Sequence, residues 1–498
     1  MISINEDINA LLQFALKRGL LKKEDYVWAA NQLIGLFNQA GFKAFNLKAG
    51  SPDTVELILE RLLDQAVRMG LAENTGAGRD LFDTRIMGLL TPRPSEVIRR
   101  FRKFYEQSPI TATDYFYDLS VAVNYVRKNR TDRNITWFTP SRYGNLAITI
   151  NVSKPEKDPR DIAAARNAPA IGYPACLLCR ENEGYFGNPA HPARQNLRLV
   201  PLEMGGEEWF LQYSPYVYYN EHCIILSGEH RPMKIGRRTF ENLITFLNYL
   251  PHYFIGSNAD LPIVGGSILN HDHYQGGRHT FPMDEAEVEK EYRIFPGLAL
   301  GRLRWPLSGL RLRGNDAEAM IRASEKILEA WRNWSDESVG LLAESGGELH
   351  NTLTPIARRR GGDYVFDLVL RNNRVTADHP LGLFHPHEDV HNVKKENIGL
   401  IEVLGLAILP PRLAPEMEML KEALLTGRAE VEGVHAAWYP ELKKELSGLD
   451  PEETEEGLRL AVGLKFIKGL EDAGVFKRNE AGRAAFERFV HSLAGKER

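Results

Sequence analysis

The segment Gly265-Gly266-Ser267-Ile268-Leu269-Asn270-His271-Asp272-His273-Tyr274-Gln275-Gly276-Gly277 carries two imidazoles and a carboxamide at alternate positions. If 267–275 is extended, a period of two puts His271, His273 and Gln275 on one face. Much of the imidazole population is unprotonated at neutral pH, so such a face can attack an electrophile or hold a metal. A surface histidine cluster, or a pair of satisfied core histidines, would show the same spacing. The triplet alone does not choose between them.

A second signal is Cys176-Leu177-Leu178-Cys179, behind Pro174. Two thiolates at this spacing can reach one metal tetrahedrally. A redox pair or two small buried hydrophobes share the spacing. With three cysteines in all, a four-cysteine site is impossible. A tetrahedral site must recruit histidines, and His230 and His271 are candidates. Cys223 sits in the strand-like Cys223-Ile224-Ile225-Leu226 and reads as core. A third run, Phe384-His385-Pro386-His387-Glu388-Asp389-Val390-His391, mixes imidazoles and carboxylates that could bind iron or zinc. Its bland counterpart is a charged loop entering an apolar helix over 398–408.

The elements that must hold these groups follow from periodicity. Apolar spacings of three and four predict helices over 6–20, 24–40, 53–70, 78–91 and 94–106. The character changes near 135. Strands are predicted at 137–138, 146–152, 197–201, 208–213 and 223–227, with a turn at 154–159 starting a helix at 160–167. A helix over 237–250 precedes the glycine–histidine segment. Further strands are predicted at 292–295, 298–305, 310–313 and 363–370, with a helix over 317–334. After Pro411 the chain reads as helical, including 414–426, 451–470 and 479–494. The class is α+β. The expected division is a helical extension over 1–134, a first sheet unit over 135–305, a second over 306–411 and a helical extension over 412–498.

The chain has 498 residues, 43% of them hydrophobic and 26% charged, which describes a folded protein of several units. A formal net charge of −4 argues against a broad nucleic-acid surface. The apolar stretch 398–411 is interrupted by Glu402 and stopped by Pro410-Pro411, so no membrane span is expected. The N-terminus lacks the basic start and apolar core of a secretory signal, and three cysteines build no disulfide scaffold; a reducing cytoplasm is expected.

Together these motifs resemble the galactose-1-phosphate uridylyltransferases, a branch of the histidine-triad superfamily. His271-Asp272-His273-Tyr274-Gln275 is similar to the family's His-x-His-x-Gln signature. Cys176-Leu177-Leu178-Cys179 resembles its early Cys-x-x-Cys, and Tyr218 to His230 its strand ending in a histidine. The helical start and Lys154-Pro155-Glu156-Lys157-Asp158-Pro159 are similar to the second, bacterial class. The resemblance implies two histidine-triad-like antiparallel-sheet units between helical extensions. It implies uridylyl transfer from UDP-glucose to galactose 1-phosphate, giving glucose 1-phosphate and UDP-galactose by ping-pong through a uridylyl-histidine.

On that resemblance His273 matches the nucleophile and Gln275 the residue that holds a phosphoryl oxygen. Cys176, Cys179, His230 and His271 match structural Zn2+ ligands, with no organic cofactor implied. The nucleophile needs its other nitrogen fixed by a carbonyl or carboxylate, for which Asn270 and the neighbouring backbone are candidates. Arg278 leads among candidates for the diphosphate. Lys395 resembles a sugar-phosphate contact, and Asn258 a contact to uridine or ribose. Gly266 permits close backbone approach. A homodimer is implied too. The alternatives are a histidine-triad nucleotide hydrolase or phosphorylase, or a zinc-stabilised nucleotide-binding regulatory protein. Gln275 in place of a third histidine favours transfer.

Overall fold

The structure is a computed structural model describing residues 3–44, 54–152, 172–266 and 268–494. The predicted turn at 154–159 and helix at 160–167 lie outside the described residues. The elements are helices and mainly antiparallel strands, an α+β fold. By its internal contacts the chain divides into one unit of residues 1–132 and 155–230 and another of 133–154 and 231–498.

The first unit opens with helices whose starts are written in the sequence. Ser3 and Glu6 form a capping box on Ile4–Lys17. Prolines occupy the first turns of Pro94–Tyr105 and Pro109–Ala122, where no backbone donor is lost. These two helices meet edge-on through Phe101 and Phe116, ring centroids 6.1 Å apart. Phe116 also packs on Tyr213 at 5.2 Å, and the Tyr213 hydroxyl donates to the Thr113 carbonyl at 3.1 Å. That contact fixes the helices to an antiparallel sheet of Val200–Met204, Glu207–Tyr213 and Cys223–Ser227. Cys223 is fully buried there, as expected of core.

In the second unit an antiparallel sheet runs in the order His273–Gly277, Phe254–Gly256, Asn351–Arg360, Asp363–Asn372, Gly309–Gly314, Ala299–Leu303 and Val288–Tyr292. Helices Arg237–Tyr249 and Ala317–Arg332 pack on it. Trp331 ties layers together. Its indole donates to the carbonyls of Thr352 and Arg371 at 3.0 and 3.1 Å, and its ring meets Phe476 and Phe489 from the C-terminal segment. A separate three-stranded sheet holds Ile135–Ser141, Gly144–Ile150 and Leu406–Leu409.

The structure departs from the sequence reading at three places. The apolar stretch 398–408 is no helix: Leu400–Val403 makes one turn, Gly405 takes φ +93°, and Leu406–Leu409 runs parallel to Gly144–Ile150. Only glycine enters that left-handed region without strain. Asn351–Arg360 is a ten-residue strand that apolar alternation does not announce. Its Arg358 is buried because Asp367 and Asp284 neutralise it. Finally, among the described residues of 268–275 the strand starts only at His273. Residues 269 and 272 are held elsewhere: the Leu269 carbonyl accepts from Met233 N at 2.9 Å, and Asp272 N donates to the Arg231 carbonyl at 2.7 Å.

Candidate active site

The strand His273–Gly277 orients its side chains by simple alternation. Tyr274 is buried, and its hydroxyl accepts from Asn242 Nδ2 on the helix Arg237–Tyr249 at 3.2 Å. His273 and Gln275 therefore face away from that helix. Gln275 is half-buried and paired in register with Gly256. His273 is buried, with Nδ1 2.8 Å from the His271 carbonyl oxygen. A carbonyl only accepts, so Nδ1 carries the proton and the Nε2 lone pair is free of it. The tautomer-setting partner is thus the backbone of His271 rather than the Asn270 side chain.

Burial dominates the charge state of His273. It pushes the imidazole down to about 4 against the upward pull of the His271 carbonyl hydrogen bond, and repulsion from His271 adds the smallest contribution. At neutral pH the ring is unprotonated and of fixed orientation.

Asn258 is buried, and its Oδ1 accepts from Leu400 N at 2.9 Å. Gly266 lies against its carboxamide: a Cβ at 266 would meet Asn258 Nδ2 at 2.6 Å. Asp260 pins the same loop, accepting from Ile235 N at 2.8 Å and from the Thr352 hydroxyl. Arg278 is half-buried just past the strand. Lys395 is exposed, whereas its neighbour Lys394 is buried and bound to Glu402 at 3.0 Å.

In the first unit Cys176 and Cys179 bring their sulfurs within 3.5 Å, and His230 Nδ1 lies 3.2 Å from the Cys179 sulfur. A tetrahedral zinc with two sulfurs and a nitrogen has ligand–ligand edges of about 3.5–3.8 Å. The two cysteines and His230 thus form a group that could hold a metal ion. Burial, followed by the hydrogen bond from Cys176, pushes the Cys179 thiol up to about 12. A bound cation reverses that order, because it stabilises the thiolate outright. His271, in the second unit, is buried one residue before the Asp272 that pairs with Arg231.

Residues 29–232 match the family described as galactose-1-phosphate uridyl transferase, N-terminal domain, and residues 247–439 match its C-terminal domain. The galactose-1-phosphate uridylyltransferase of Clostridium acetobutylicum is 53% identical over 98% of this chain and 100% of its own length. The chain belongs to the galactose-1-phosphate uridylyltransferase family. The enzymes of that name from Caldanaerobacter subterraneus subsp. tengcongensis and Halalkalibacterium halodurans are 51% and 49% identical. Those matches cover 98% and 99% of this chain, and 98% and 99% of the respective relatives.

This family member also uses residues that the sequence did not flag. The strand expected over 363–370 stops short of Arg371, but it runs on to Asn372 and buries that arginine. Its Nη2 donates to the Ile398 carbonyl at 2.9 Å, two residues before the Leu400 amide that holds Asn258. Burial lowers its pKa to about 10, against the attraction of Glu402. No periodicity marks such a residue, because its partners are the Thr354 hydroxyl on another strand and the Ile398 carbonyl in the irregular segment 397–399. The histidines after Phe384 are largely bound to backbone: His385 Nδ1 to the Pro386 carbonyl at 3.0 Å and His391 Nε2 to the same oxygen at 2.8 Å. His387 Nε2 lies 3.2 Å from the Leu383 carbonyl oxygen, and its Nδ1 faces Asp472 at 3.6 Å. Among the described residues this run forms no metal-holding group. No helix among them is long and apolar enough to cross a membrane.

Proposed function

We infer that the protein transfers a uridylyl group from UDP-glucose to galactose 1-phosphate through a covalent uridylyl-His273. His273 Nε2 attacks the α-phosphorus, a P–N bond forms, and the P–O bond to glucose 1-phosphate breaks. A phosphate oxygen of galactose 1-phosphate then displaces the histidine, which leaves with its electron pair and yields UDP-galactose. The observation that carries this reading is the buried His273 ring with Nδ1 bound to the His271 carbonyl. Nδ1–H remains in place while positive charge develops on the ring, so the carbonyl stabilises the attacking form.

Gln275 donates its NH2 to a non-bridging phosphoryl oxygen without offering a titratable proton. Arg278 neutralises the diphosphate and Lys395 the sugar phosphate, while Asn258 and Gly266 shape the nucleoside side. Zinc is the metal proposed for the cysteine site, with His271 as fourth ligand beside Cys176, Cys179 and His230; each offers one ligand atom. Bound there, zinc supplies a structural cross-link and no step of the transfer. A homodimer in a reducing cytoplasm completes the reading.

The test is trapping. Incubation with UDP-glucose alone should release glucose 1-phosphate stoichiometrically and leave a uridylylated histidine, detected by mass spectrometry of peptides. Label that persists in His273→Ala sinks the mechanism. Release without label supports the hydrolase alternative.

A further inference from the structure

A concavity of about 350 Å³ in the second unit draws on parts of the chain far apart in sequence. Four arginines line it: Arg142 from the turn before Gly144–Ile150, Arg304 from the end of Ala299–Leu303, and Arg478 and Arg483 around the start of Glu480–Ser492. Tyr143 stands among them, and Glu287 and Glu289 are the carboxylates in the wall. Like charges brought together cost energy unless they are offset, so the pairing of each guanidinium decides what the pocket can do.

Two of the four are held. Arg478 grips Glu289 with both nitrogens, at 3.0 and 2.6 Å, and Glu289 is shared with Arg302 at 2.6 Å. Arg142 binds Glu471 at 2.6 Å, and the same carboxylate oxygen accepts from the Tyr143 hydroxyl at 2.7 Å. The guanidinium carbons of Arg142 and Arg478 sit 5.0 and 5.9 Å from the Tyr143 ring centroid. The floor is therefore pre-organised, which lowers the entropy a ligand must spend.

The other two are available. Arg304 reaches Glu287 at 3.2 Å, but both side chains are about half exposed or more, and such a pair is worth little. Arg483 is exposed and makes no ion pair or side-chain hydrogen bond among the described residues. Two planar forks thus face a concavity whose wall carries more cationic than anionic groups. Forks of this geometry match phosphoryl oxygens bidentately.

We propose that this pocket is a binding site for a small diphosphate anion, gripped by Arg304 and Arg483 above the floor of Arg142, Tyr143 and Arg478. Its volume suits a small ligand and excludes a macromolecular one. It shares no residue with the candidate catalytic set of His273, Gln275, Asn258, Arg278 and Lys395. An occupant would link the C-terminal helix to both sheets of the unit.

Inorganic pyrophosphate is the probe, titrated calorimetrically into the full-length protein with and without saturating UMP to block the nucleotide site. The expected result is a class of sites that UMP does not displace and that weakens with added salt. It should bind at least tenfold more weakly in the Arg304→Ala/Arg483→Ala variant, while the KM for UDP-glucose and the circular dichroism spectrum stay unchanged. If the double variant loses its fold, Arg483→Gln alone, at an exposed helical position, carries the same comparison. A single class of sites fully displaced by UMP overturns the proposal. So does an identical UMP-resistant isotherm in native and variant proteins.

Discussion

The carboxamide of Asn258 occupies the space that a side chain at residue 266 would need, since a Cβ there would lie 2.6 Å from Asn258 Nδ2. The same Asn258 receives the Leu400 amide through Oδ1, so it cannot retreat without giving up that bond. Gly266→Ala should therefore cost about 1–3 kcal/mol in overpacking, shared between stability and substrate binding. The expected outcome is a lower thermal midpoint and a raised KM for UDP-glucose, with the uridylyl-histidine still formed at saturation. An unchanged KM would remove Asn258 from the nucleoside side of the site.

Replacing His273 removes the proposed nucleophile, and no neighbouring side chain in its strand is an imidazole. His273→Ala should lower kcat by about 10⁴-fold or more, without loss of fold, in a coupled assay for UDP-galactose. Exchange of radiolabelled glucose 1-phosphate into UDP-glucose, the half-reaction of a ping-pong enzyme, should vanish in parallel. Surviving exchange would place the covalent intermediate on another residue.

Gln275 is separable from the nucleophile by its kinetics. Loss of one preorganised donor to a phosphoryl oxygen costs about 10²–10³ in rate when the charge develops chiefly in the transition state. Gln275→Ala should show that loss in kcat with little change in KM. Gln275→His should raise the ratio of UDP-glucose hydrolysis to transfer, measured as UMP formed per UDP-galactose. A loss confined to KM would make Gln275 a ground-state contact only.

The order in which these features could be read from the chain has a physical basis. Helix starts such as Pro94, Pro109 and the Ser3–Glu6 box are local, so they stand in the sequence. The alternation of His273 and Gln275 across Tyr274 is local as well and survives in the strand. His271 is different. Its place depends on the backbone bond between Asp272 and Arg231, forty-one residues apart, and no period of two encodes that. The strand Asn351–Arg360 was illegible for a related reason. Arginine at 358 reads as solvated until Asp367, nine residues on across the hairpin, and Asp284, seventy-four residues back, are known to face it. Leu406–Leu409 is as apolar as a helix core, and only Gly405 hints that the helix stops.

The metal group makes a compositional prediction. Cys176→Ser should lower the zinc content measured by elemental analysis by about one equivalent per chain and reduce the thermal midpoint. A chelator added to the native protein should do the same, since a metal bound to the folded state alone stabilises it by mass action. Retained catalysis at low temperature would mark the metal as structural. Zinc content unchanged by Cys176→Ser would count against this ligand set.

Asp367 should govern part of the acid stability. It is fully buried; burial pushes its carboxyl up, but Arg358 and Arg311 outweigh that and hold it below its ordinary value of 3.8. Arg311 grips it bidentately at 2.7 and 2.9 Å, and Arg358 binds the second oxygen as well as Asp284. Because the folded pKa lies below the unfolded one, the unfolded chain takes up the proton first as pH falls. The stabilisation is therefore complete well above 3.8 and is lost as pH drops through the folded value. Asp284 behaves oppositely, since burial raises its carboxyl and its ionisation opposes folding as pH rises. A comparison restricted to position 367 isolates the first effect. Asp367→Asn should cost about 3–5 kcal/mol at pH 7, because it leaves the buried Arg358 and the partly buried Arg311 without their shared anion. Denaturant midpoints of native and variant proteins should differ by a constant amount from pH 5 to 7 and converge below pH 4. A gap that stays constant to pH 3 would mean that the variant acts through packing and not through the charge of Asp367.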